Sequence, residues 1–297
     1  MKKHTAFILT LLLLFCFIGC NKANDVVYTS LVADCYNDEY AMAFDIDYWT
    51  GIYFQKENMV DKTCFAFGNS YSGSYKRSII NRMNSYTTDL YVDENSITFG
   101  LRSDTGDLVS INFMNSHFFD TQPYLPEVDD PEGTAISLST EIASAYVDNI
   151  AEYTLTSITP VTRYKERDGE TYQITYYTLT FVKKIDGYLS SDLIGVKVTS
   201  KGTLASITMG DIGAFDGITP HFDTEAMNQS ISSKIDAIYP KKKLEVKKST
   251  VEDQRLAINP NGEICMLTVM LIDGVNESNI EVQTGVSILT ILGKRSK

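Results

Sequence analysis

Histidine is scarce in this 297-residue chain: there are three, with His4 among the first few residues and His117 and His221 far apart. No HExxH occurs, nor any CxxC or grouped His/Cys set, so zinc-dependent hydrolysis and a structural zinc site are not expected. GxSxG, GxGxxG and a Walker loop are also missing, which removes the sequence grounds for a serine hydrolase or a nucleotide site. Asp211 and Asp216 in "MGDIGAFDGITPHFD", and the acids of "EVDDPEG", depart from the EF-hand pattern and read as turn formers. No cofactor, no metal and no enzymatic activity are therefore expected.

Basic residues are the next shortage. The chain has 26 Lys+Arg against 38 Asp+Glu, a formal charge of −12, and none of the basic residues falls between Ser103 and Thr162. Such a balance disfavours nucleic acid and electrostatic adhesion to anionic lipid, and the acidic stretch reads as a solvated surface. Tryptophan occurs once, as Trp49, and cysteine five times. Beyond Cys16 and Cys20, a bridge between Cys35 and Cys64 would close a loop of about 30 residues, worth roughly 3.5 kcal/mol in the chain-entropy model. Cys265, inside "EICMLTVML", alternates with apolar neighbours and reads as a buried thiol.

What is present begins with "MKKHTAFILTLLLLFCFIGCNKAND". Lys2 and Lys3 precede an apolar run from Ala6 to Ile18 broken only by Thr10. At about 1.5 Å per residue this run is roughly 20 Å long as a helix, short of the ~30 Å hydrocarbon core, so it suits a signal peptide rather than a membrane span. Phe17-Ile18-Gly19-Cys20 resembles the lipobox of bacterial lipoproteins, with Phe17 in place of the usual Leu. The resemblance implies lipidation of Cys20, cleavage that leaves Cys20 as the first mature residue, and an extracytoplasmic, membrane-anchored protein at the bacterial cell surface or envelope. Two acyl chains burying ~0.8 kcal/mol per methylene make a stable tether.

The rest of the chain alternates between helical and strand patterns. "SYKRSIINRMNSY", "SLSTEIASAYVDNIAEY" and "DTEAMNQSISSKIDAIYP" carry apolar residues at three- and four-residue steps, with Ser139 or Thr140 capping the second and Asp223 the third. Each precedes alternating strands punctuated by Asp104-Thr105-Gly106, Asp186-Gly187, Lys201-Gly202, Asn259-Pro260-Asn261-Gly262 and Asp273-Gly274. The expectation is an α+β fold of tandem lobes, each a helix packed on an antiparallel sheet. The implied segments are a signal peptide at 1–20, an N-terminal lobe at 21–118, an acidic Pro-containing linker at 119–136, and lobes at 137–220 and 221–297.

"LRSDTGDLVSINF", "IGVKVTSKGTLASITM" and "LAINPNGEICMLTVML" give this pattern a look similar to PepSY-type domains over about Tyr75 to Leu292. That resemblance implies a non-catalytic binding or regulatory role, such as restraining an extracellular protease, with a peptide or an envelope component as further partners. A different class is a cell-wall carbohydrate-binding protein or a carboxylate-dependent glycan hydrolase. In "DYWTGIYF", Trp49 and Tyr53 share strand parity, as do Tyr48 and Phe54; Trp49 and Tyr53 are the candidate ligand-stacking pair.

Overall fold

The computed structural model describes residues 24–27, 32–36, 52–81, 84–167, 169–221, 223–240 and 243–294. The N-terminal segment with Cys20, and Trp49, lie outside them. Two helices of more than one turn occur among the described residues: α1 (Pro131–Ser144) and α2 (Thr224–Ile238). Neither is long and apolar enough to cross a membrane.

Strand dominates everything else. Before α1 come β1 (Asn24–Val27), β2 (Val32–Tyr36), β3 (Ile52–Phe54), β4 (Lys62–Ala66), β5 (Asn69–Ile80), β6 (Thr87–Asp93), β7 (Thr98–Arg102) and β8 (Leu108–Asn112). Between the helices lie β9 (Tyr153–Arg167), β10 (Glu170–Ile185), β11 (Tyr188–Thr199), β12 (Leu204–Met209) and β13 (Ile218–His221). After α2 follow β14 (Leu244–Ile258), β15 (Glu263–Asn276) and β16 (Glu281–Lys294).

Fourteen of these strands form one sheet with the path β2-β16-β15-β14-β11-β12-β8-β7-β6-β5-β3, to which β10 and β9 add on β11 and β4 adds on β5. The sheet forks at β11. Its Leu189 and Ser190 run parallel to Arg255 and Leu256 of β14, while Ile194 to Val198 pair antiparallel with β12. The remaining strands, β1 and β13, form a short parallel pair.

The expected tandem α+β lobes are overturned by this continuous sheet. Backbone pairing runs without a break from β3 to β2, so the helices lie on a shared β-rich framework instead of on sheets of their own. One apolar core lies under α2, where Met227, Ile231 and Ile235 meet Leu256, Met266 and Ile288. A second lies under α1, where Ala135 and Ala143 meet Leu179, Phe181, Val196 and Ile207.

The first expected helix is strand β5. Its Ser-Tyr-Ser-Gly-Ser-Tyr alternation places Tyr71, Gly73 and Tyr75 on one face, and period-two burial against β4 and β6 outweighs the helical spacing of Ile79, Ile80 and Met83. The second helix starts at Pro131, inside the expected linker. Asp130 accepts a hydrogen bond from Gly133 N at 3.0 Å, and Pro131 takes the first turn, where its missing N–H costs nothing. The third helix starts where its cap places it, with Asp223 accepting from Ala226 N at 3.0 Å. Gly106, Gly202 and Gly262 have φ of +81°, +72° and +75°, the left-handed values these turns require. Asp273-Gly274 is not a turn, because β15 continues through it to Asn276.

Candidate functional site

Two places gather polar chemistry. The first is the loop "GDIGAFDG" after β12, which is tied down along its length. Gly210 N donates to Leu193 O and Asp211 N to Ser191 O, both at 2.8 Å. Asp211, 1% exposed, accepts from Ser85 N and Ser85 Oγ, each at 2.7 Å. Burial pushes its carboxyl up to about 6, with the Ser85 donors and the Arg102 guanidinium opposing the shift and Asp192 adding to it. Asp192 is fully buried, accepts from Tyr153 Oη at 2.5 Å and from Gly213 N at 3.0 Å, and is held above the usual carboxylate range by burial. Lys183 bridges Glu152 at 2.8 Å and Asp216 at 2.9 Å.

These groups flank a pocket of about 560 Å³ also lined by Tyr146, Asp148 and Asn149. Its chemistry is already satisfied internally. Both oxygens of Asp192 have partners, the Lys183 ammonium sits between two carboxylates that hold it protonated, and the Tyr153 phenol is pushed well above its ordinary value, chiefly by burial. The arrangement clasps the segment after α1 to the loop after β12.

The second place is the face of the sheet turned away from α1. Leu179, Phe181, Ile194, Val196, Ile207 and Ile111 point toward α1, so alternate residues on the same strands point the other way. Registers then align Thr159, Thr178, Lys197, Ser206, Asn112 and Thr98 in one row across six strands, about 24 Å at ~4.8 Å per strand. The next row holds Ser157, Thr180, Gly195, Thr208 and Ser110. All of these residues are half-buried or exposed, and none is acidic.

Lys197 stands in the middle of this face. Burial, with the Arg163 guanidinium nearby, pushes its ammonium below the ordinary value. Arg163 lies opposite Ile174 on the same face and also acts on the buried phenol of Tyr176, over which Phe118 stacks at 6.5 Å. Among the described residues neither Lys197 nor Arg163 has a carboxylate partner.

The residues singled out in the sequence are placed elsewhere. Tyr53 sits on β3, 44% exposed, with the Arg77 guanidinium 4.3 Å over its ring. Cys35 and Cys64 are not brought together. Cys35 pairs through its backbone with Ile288 at the β2 end of the sheet, while Cys64 lies on β4 at the other end as a buried free thiol. Strand order, which loop length does not reveal, places the two on β2 and β4, which are not neighbours in the sheet. Cys265 is also a buried free thiol, donating to Ala257 O at 3.5 Å and pushed up to about 12 by burial. His117 is exposed and meets Asp120 at 3.2 Å.

The hydroxyl-rich face was missed because its rows are assembled from as many as six separate strands. The one local signal is the Thr alternation in "YYTLTF". Lys197, set between valines in "GVKVTS", carries no mark of its burial.

No protein-family model matches the chain, and no curated protein matches it either. Among solved structures, a green fluorescent protein of Branchiostoma lanceolatum aligns at 9% identity over 80% of this chain and 79% of that one, with a TM-score of 0.13. A likeness at that level carries nothing about fold or function.

Proposed function

We propose that this is a lipid-anchored extracytoplasmic binding protein that holds a component of the cell envelope. The observation behind the binding role is the wide, half-open polar face whose two cations, Lys197 and Arg163, have no carboxylate partner among the described residues. The lipobox-like Phe17-Ile18-Gly19-Cys20 supports the anchor. A protease-restraining role came from the PepSY resemblance, and separate helix-on-sheet lobes do not occur among the described residues. A glycan hydrolase would need two free carboxylates facing one open cleft; of the acids lining the large pocket, Glu152 and Asp216 are both paired with Lys183, and the Asp192 carboxyl beside it is buried.

Fractionation of cells expressing Cys20→Ala tests the anchor: the variant leaves the membrane fraction. Persistence there overturns the tether. Capture of envelope material by the immobilised full-length chain in detergent tests the binding role, and recovery of nothing above a denatured control overturns it.

A further inference from the structure

We infer that the sheet face turned away from α1 binds an acidic polysaccharide, with Lys197 and Arg163 receiving its carboxylates and the flanking Ser, Thr and Asn side chains its hydroxyls. This deepens the binding role proposed above and rests on it.

Charge complementarity is the first support. The chain has 38 acidic residues against 26 basic ones, yet the rows around Lys197 contain no acid. An ammonium partly removed from water beside a guanidinium is unfavourable, and among the described residues no carboxylate pairs with it to relieve it. An anion from outside supplies that partner and makes a charge-assisted hydrogen bond in a partly dehydrated setting.

The neighbouring side chains decide what carries the anion. Thr159, Thr178, Ser206 and Asn112 lie on either side of Lys197, one per strand, so donors and acceptors recur at ~4.8 Å. A simple anion would use only the cations. A hydroxylated chain bearing carboxylates at intervals uses the whole row. Phe118, stacked on Tyr176, covers the face at the Thr199 end, while a Cβ added at Gly195 would fit, making only an ordinary contact with Thr208 O at 3.8 Å.

The test uses the full-length protein in detergent with three polymers: polygalacturonate, which has hydroxyls and carboxylates; dextran, which has hydroxyls alone; and inorganic polyphosphate, which has charge alone. Expected is binding of polygalacturonate that weakens with salt, with dextran and polyphosphate each at least ~10-fold weaker. Lys197→Gln and Arg163→Gln each lose ~10-fold or more, from one charge-assisted contact. Lys197→Arg retains most of the affinity. Gly195→Glu, whose Cβ fits without a clash and which places a carboxylate two residues from Lys197 on the same face, abolishes binding while its unfolding midpoint stays near that of the parent.

No binding of polygalacturonate, binding unchanged by Lys197→Gln, or equal binding of polyphosphate overturns the inference. Envelope material captured equally by the parent and by Lys197→Gln would overturn this site and leave the general binding role standing. Capture of nothing by either removes both.

Discussion

Asp211 makes the stability of this fold depend on pH in an unusual direction. Its carboxyl is 1% exposed and pushed up to about 6, against 3.8 in an unfolded chain. Between those values the folded protein keeps a proton that the unfolded chain has released, so the contribution of this group to stability falls as pH rises through the window and levels off above it. The whole difference, two units or so at 1.36 kcal/mol each, is about 3 kcal/mol. Between pH 4.5 and 7.5 the part expressed is about 2 kcal/mol.

Asp211→Asn removes the titration while leaving an oxygen that accepts from Ser85. Urea unfolding of parent and variant across that range therefore shows the parent losing ~2 kcal/mol relative to Asp211→Asn as pH rises. Ser85→Ala takes away the hydroxyl that donates to Oδ1, costing about 1.5–3 kcal/mol where the carboxylate is ionised and less where it is protonated. Parallel pH profiles for the parent and Asp211→Asn would refute the reasoning, because they would mean that the buried carboxyl titrates alike in both states.

Two further outcomes follow from packing. Gly210→Ala places a Cβ 2.1 Å from Ser191 O, where β12 hands over to the clasped loop; the backbone must shift, and the unfolding free energy drops by about 2 kcal/mol or more. Gln122, 1% exposed, has no hydrogen-bond partner for either amide atom among the described residues, so Gln122→Leu raises stability by roughly 1 kcal/mol in thermal or urea unfolding; a loss would show that the amide has a partner.

Part of this protein was legible in its sequence. The apolar run ending at Gly19-Cys20, the cap at Asp223 and the glycine turns at 106, 202 and 262 are local chemistry: a few adjacent residues fix each one, so reading them needs no knowledge of neighbours in space. Local patterns misled where two periods competed. In β5 the Ile79-Ile80-Met83 spacing favours helix, and only pairing with β4 and β6 makes the Tyr alternation decisive. At Asp130-Pro131 the same residues that mark a linker also cap and open a helix.

By itself the sequence determined features settled within a turn or by composition: the cap at Asp223, the glycine turns at 106, 202 and 262, the acidic balance and the greasy N-terminus. Tertiary structure alone decided that the strands merge into one forked sheet, that Cys35 and Cys64 lie on strands far apart in its order, and that Lys197 stands between Thr178 and Ser206 with no carboxylate partner among the described residues. The physical reason is that cross-strand neighbours are set by register between distant segments, and burial, which gives a side chain its chemistry, exists only once those segments have paired.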